Sequence, residues 1–177
     1  MARIAVTGAL AVGLEWARAI AGRQPGAALP ALIIGGVALC LLGLGWAPEQ
    51  LGLGRSRLGL RILGGIALGA ALLLPAAVRW HGGPVLSAPL AIAAIAVSVG
   101  EEIAFRGALY AALDAVWGAP AAIIGSSLLF AAGHVLSHPT EFLVPVLAAG
   151  LLLAAWRWAC RDLVGPIVGH AIADLAL

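Results

Sequence analysis

AIAVSVGEEIAFRGALYAALDAV, residues 94–116, sets two adjacent glutamates and an arginine inside a run of Ala, Ile, Val and Leu. No proline interrupts the run, and its length suits a helix rather than a strand. The rest of the chain explains why such a stretch exists. Of 177 residues, 63% are hydrophobic and 10% are charged, against about 25% charged in an ordinary soluble domain. Too few polar groups are present to cover a globule of this size, so most of the surface must meet lipid. Residues 94–116 are therefore read as part of a membrane-spanning helix, and the fold class as all-α, a polytopic transmembrane bundle.

A spanning helix takes roughly 20 apolar residues, so about six to seven helices use up nearly the whole length. Residues 1–177 are expected to form a single integral membrane domain. Apolar stretches between Pro, Gly and Arg punctuation place the spans at about 4–22, 29–46, 59–79, 85–113, 120–136, 142–158 and 163–177. The opening stretch resembles a signal peptide, but Glu15 and Arg18 interrupt it, so a first span or an interfacial helix is expected instead. Trp46, Trp80, Trp117, Trp156 and Trp158 fall near span ends, as in an aromatic belt. Glycine is abundant, with pairs at 35–36 and 64–65, and in lipid it permits close helix approach.

All ten basic residues are arginine. With seven spans Arg3, Arg55, Arg57, Arg61, Arg157 and Arg161 share one side, and Arg18, Arg23 and Arg79 the other. The positive-inside tendency then makes the N-terminus and the Arg55 loop cytoplasmic. The net charge of +2 points to no nucleic acid; the expected partners are membrane lipid and a peptide or protein substrate. Cys40 and Cys160 stand alone in apolar surroundings and read as small buried hydrophobes.

Ionisable groups inside a membrane cost roughly 2.5–3.5 kcal/mol each on insertion scales and mark function by default. Three predicted helices carry them. Glu102 and Arg106 have the i, i+4 spacing of a helical ion pair. Glu101 projects about 100° away from Glu102 and is left free to act as a base. A buried pair that only locks helix packing would account for Glu102 and Arg106, but not for Glu101. In GSSLLFAAGHVLSH, His134 follows Phe130 by one turn, while His138 beside Pro139 reads as loop. In GPIVGHAIADLAL, His170 and Asp174 are four apart, so the carboxylate can fix the imidazole tautomer. A helix-end pair at the interface is the plainer account of these two.

These residues are not arranged as HExxH, and neither GxSxG nor a Ser-Lys pattern occurs. Ser126 and Ser127 lack an obvious base. What remains is a water activated by Glu101, with His134 and His170 polarising a carbonyl or holding a metal, either of which hydrolyses an amide in a sheltered cavity.

EEIAFRG resembles an EExxxR motif, FAAGH an FxxxH motif and HAIAD an HxxxN/D motif. In that order they resemble the CPBP family, the CAAX proteases and bacteriocin-processing intramembrane enzymes also called Abi. The motifs span residues 101–174, and the catalytic region is taken as about 85–177. The resemblance implies that Glu101 activates the attacking water, that Glu102 and Arg106 support it, and that His134 and His170 are the essential histidines. Asp174 stands where the prenyl-protein endopeptidases carry an asparagine that helps form the oxyanion hole. An ionised Asp cannot donate to an oxyanion, so Asp174 is expected to orient His170 or a metal, or to stay protonated. Family members are commonly labelled metalloproteases, which would put a divalent metal such as zinc on His134 and His170. Related enzymes work through glutamate and histidine alone, and both routes stay open.

The expected function is an intramembrane endopeptidase of the cell (plasma) membrane, cutting a membrane-associated peptide, prenylated or leader-bearing. The rival is a non-catalytic scaffold or ion/proton pathway using the same buried charges structurally. One geometric difficulty attends the site. Counted from Ala119, His134 lies roughly 22 Å along its helix, whereas His170 lies roughly 10 Å from Leu163. The two meet only if their helices start at different depths, for instance if Gly107–Val116 projects beyond the bilayer.

Overall fold

The computed structural model describes residues 1–54, 56–77 and 86–176. Arg55, Arg79 and Trp80 therefore lie outside the described residues. Every regular element among those described is helical: α1 (Ala2–Gly22), α2 (Ala28–Leu41), the short α3 (Pro48–Leu51), α4 (Leu58–Ala77), α5 (Ala88–Glu101), α6 (Tyr110–Gly133), α7 (Leu143–Cys160) and α8 (Val164–Ala176). A π-helical segment, Glu102–Leu109, joins α5 to α6 without a break. The polytopic all-helical bundle expected from composition is the fold observed.

Among the described residues, three stretches are long and apolar enough to cross a membrane: Ala2–Gly22, Ala88–Leu136 and Thr140–Cys160. The second is folded back on itself. Gly118 adopts φ 79° and ψ 173°, a conformation open essentially to glycine alone, and Pro120 follows two residues later. The chain reverses there. Leu113 before the turn packs against Gly125 after it, and Phe105 meets Phe130 edge-on with ring centroids 5.4 Å apart. These pairings make the two arms antiparallel, matching the division at 113 and 120 read from the sequence.

The outgoing arm runs roughly 45 Å from Ala88 to Trp117, at about 1.5 Å per residue, against a hydrocarbon core of about 30 Å. A helix of that length fits a bilayer by tilting or by protruding, and protrusion is the condition the sequence sets for His134 and His170 to reach the same depth. The buried core clusters around this arm, with Ala104, Phe105, Leu109 and Leu113 meeting Ala11 of α1, Leu39 of α2, and Ala122 and Phe130 of the return arm. The outer surface is apolar: Ile34, Leu63, Ile92 and Val144 each keep more than 60% of their surface exposed. Water would penalise such a surface and lipid does not.

Close helix approach is built from small residues. A methyl group at Gly100 would collide with the Gly36 carbonyl oxygen, so α5 and α2 touch backbone to backbone. Helices α4 and α8 meet through Gly65 and Gly69 on one side and Gly165 and Gly169 on the other, the small-xxx-small spacing that lets packing drive association in lipid. This pairing sets the position of α8, which carries His170.

Arg3, Arg61 and Arg157 gather at one end, while Arg18, expected with Arg23 on the opposite side, is buried against Glu15 and Glu101. Arg3 lies over the Trp46 ring and bonds the Gly45 carbonyl. Arg61 binds Asp162 at 2.6 Å and also reaches the Gly52 and Gly54 carbonyls. Arg157 donates to the Gln50 carbonyl at 2.8 Å. At the other end Arg23 donates to the Leu136 carbonyl at 2.6 Å. Cys40 is half-buried and Cys160 exposed, not the two buried hydrophobes expected.

Candidate active site

Glu101 is the last residue of α5 and Glu102 opens the π-helical segment. The i→i+5 pattern widens the turn, a rearrangement common at functional sites. Both carboxylates are almost fully buried; they share His170 and otherwise meet different neighbours. Glu102 Oε1 accepts from Arg106 Nη1 at 2.9 Å and lies 2.8 Å from His170 Nδ1. Arg106 is fully buried and its guanidinium lies 3.9 Å from the centre of the Phe130 ring. The ion pair expected from spacing is present, and it extends to an imidazole on another helix.

Glu101 faces elsewhere. His134 Nε2 lies 3.8 Å from its Oε1 and His170 Nε2 lies 3.7 Å from its Oε2. Its side chain is not free, however. Arg18 Nη2 of α1 donates to Glu101 Oε1 at 3.2 Å, and the same nitrogen binds Glu15 Oε2. The partnerless Glu101 expected from helical phase is thus corrected. Glu15, which only qualified the first span, and Arg18, counted with the arginines of the opposite side, sit against the site instead. Their i, i+3 spacing on one helix was legible; their meeting with a glutamate more than eighty residues away was not.

The ring nitrogens can be assigned from their partners. His134 Nδ1 lies 2.8 Å from the Phe130 carbonyl oxygen, which only accepts, so Nδ1 carries the proton. His170 Nδ1 donates to the Glu102 carboxylate in the same way. In their neutral forms both imidazoles therefore turn an Nε2 lone pair towards Glu101. Orientation of His170, expected from Asp174, comes from Glu102. Asp174 Oδ2 is 3.6 Å from His170 Nε2 and accepts from Ser98 Oγ at 2.7 Å. Ser98 escaped notice because a serine in a helix usually bonds its own backbone; here the Ala94 carbonyl at 2.9 Å is the competing acceptor for its one hydroxyl proton.

All six motif residues, from three separate stretches of chain, come together. His138 packs against His134 with the rings tilted by 49° and centroids 5.2 Å apart, but lies in the turn, as expected. A recess of about 790 Å³ opens near the arginine-rich end beside Tyr110, Asp114 and Arg157. None of the six motif residues lines it.

For a divalent ion, the ligand atoms within 4.8 Å of one another belong to Glu15, Glu101 and His134. The group takes in Glu15 and not His170. Arg18 already stands on both of its carboxylates, so the residues do not fit a metal comfortably. A second cation would be repelled in a poorly solvated pocket.

The class of molecule is thereby defined: a polytopic membrane protein with a buried carboxylate–imidazole centre assembled from four helices. The sequence pattern of the Rce1-like family, described as type II CAAX prenyl endopeptidase Rce1-like, matches residues 82–176, and the chain belongs to that family. Membership implies protease activity in general and an integral membrane setting. No curated protein matches the chain, and no solved structure does.

Proposed function

We propose that the protein is an intramembrane endopeptidase that hydrolyses a membrane-associated peptide, prenylated or leader-bearing, through a water activated by Glu101. The observation that carries this reading is the convergence of His134 and His170 on the two oxygens of Glu101, at 3.8 and 3.7 Å. Residues 1–177 act as one integral membrane domain of the plasma membrane, with the arginine-rich end cytoplasmic.

In this reading the Glu101 carboxylate takes one proton from water, and the hydroxide oxygen attacks the scissile carbonyl carbon. Negative charge develops on the carbonyl oxygen, where a protonated imidazole or the nearby guanidinium stabilises it. Glu101 then returns the proton to the departing amine nitrogen as the C–N bond breaks, and the hydroxyl stays on the new carboxyl group. Glu102 holds the His170 ring, and Arg106 neutralises Glu102. Asp174, hydrogen-bonded to Ser98, stands beside the His170 Nε2 that faces Glu101. No step passes through a metal.

A positioned general base supplies about 10²–10⁴ in rate. Glu101→Gln, reconstituted in proteoliposomes with a prenylated CAAX-type reporter and a set of leader peptides, is expected to cleave about 10³-fold more slowly than wild type. Its thermal unfolding in detergent should not change. Cleavage at the wild-type rate by this variant would sink the reading and leave the buried charges to a scaffold or ion pathway.

A further inference from the structure

We propose that Arg18 is the resident cation of this site: it positions Glu101 against Glu15 and occupies the charge environment that a divalent metal would otherwise take. The proposal rests on the functional reading for its catalytic consequence but not for its binding consequence. Arg18 belongs to α1, outside the family-matched residues 82–176. Its Nη2 binds both Glu15 Oε2 and Glu101 Oε1, so one guanidinium holds two carboxylates from different helices. Glu15 is fully buried and its Oε1 has no hydrogen-bond partner; Arg18 Nε is likewise buried and unpartnered. Two buried carboxylates facing each other need a counter-charge, and Arg18 is the cation that contacts both.

The remaining donors show what Arg18 prevents. Glu15, Glu101 and His134 offer three ligand atoms within 4.8 Å of one another, the ligand number of a catalytic zinc site. His134 donates its Nδ1 proton to a backbone carbonyl, the support that metal-ligating histidines ordinarily have. With the guanidinium in place a metal would meet a fixed positive charge. Without it, the same three groups form an anionic pocket suited to Zn²⁺ or Co²⁺.

The test uses the full chain in detergent, equilibrated with Co²⁺ or Zn²⁺ and then desalted. Wild type and Arg18→Lys are expected to retain no stoichiometric metal. Arg18→Gln should retain about one ion per chain, with the visible absorption of tetrahedral Co²⁺, and Arg18→Gln/Glu15→Gln should lose it. In the cleavage assay Arg18→Gln should lower kcat about 100-fold with KM changed by less than about threefold, and Arg18→Lys should recover part of the loss. About one metal per wild-type chain, lost in Glu15→Gln, would overturn the proposal. So would a folded Arg18→Gln that binds none, and the wild-type metal content decides the matter if that variant does not fold. A wild type that stays metal-free yet cleaves no peptide removes the functional reading and leaves the role of Arg18 standing.

Discussion

Glu101 and Glu102 are neighbours in sequence with different dependences on their surroundings. Glu102 Oε1 serves Arg106 and His170 together, and Arg106 is wholly enclosed. Removing one partner of such a buried pair costs about 3–5 kcal/mol, because the other charge is stranded. Glu102→Gln is therefore expected to lower stability by about 3 kcal/mol as well as slow cleavage, whereas Glu101→Gln should lower only the rate. Thermal denaturation of both variants in one detergent separates them; equal stability losses would contradict this division. The motif residues were readable because a charge in an apolar run stands out. Their partners were harder to see. Arg18 and Glu15 form an i, i+3 pair with no sequence mark linking them to residue 101, and Ser98 is an ordinary helix serine.

Among the elements, α8 depends on a single carboxylate at its start. Asp162 accepts from the Val164 and Gly165 amides at 2.9 and 2.8 Å, binds Arg61 at 2.6 Å and receives the Trp156 indole N–H at 3.3 Å. Loss of a helix cap of this kind costs about 0.5–2 kcal/mol. Asp162→Ala should sit at the upper end of that range and also reduce cleavage, because α8 positions His170. Asp162→Asn, which keeps one acceptor oxygen, should lose less of both. An Asp162→Ala protein with unchanged melting and unchanged rate would remove this linkage. The reversal between the two arms was legible, since Gly118 and Pro120 mark it in plain view, whereas α2 stops at Leu41 and not near 46 as expected. The π-helical turn after Glu101 was not, because no local preference separates eight residues of π-helix from α-helix; the wide turn is held by tertiary contacts of Phe105 and Arg106 with Phe130.

Over the whole molecule, contacts divide the bundle into two ends. One gathers Arg3, Arg61, Arg157 and Asp162; the other joins Arg23 to Leu136 and Trp16 to the Ala132 carbonyl. The expected orientation is checked by cysteine labelling in sealed vesicles after Cys40 and Cys160 are replaced by alanine. Ser56→Cys should react from the cytoplasmic side and Ser137→Cys, exposed in its turn, from the opposite side. The reverse pattern would invert the bundle. That outcome bears on more than topology, because the Glu101 cluster is off-centre: Glu15 stands roughly 10 Å from the end of α1 at Gly22, but roughly 20 Å from its start. In the proposed mechanism, a peptide entering from the leaflet beside His134 reaches Glu101 within about two helical turns, whereas one from the arginine-rich leaflet must cross most of the bilayer. With that end cytoplasmic, the nearer supply is an extracytoplasmic leader or loop; a lipid-modified tail made in the cytosol is the nearer supply only if the bundle stands the other way up.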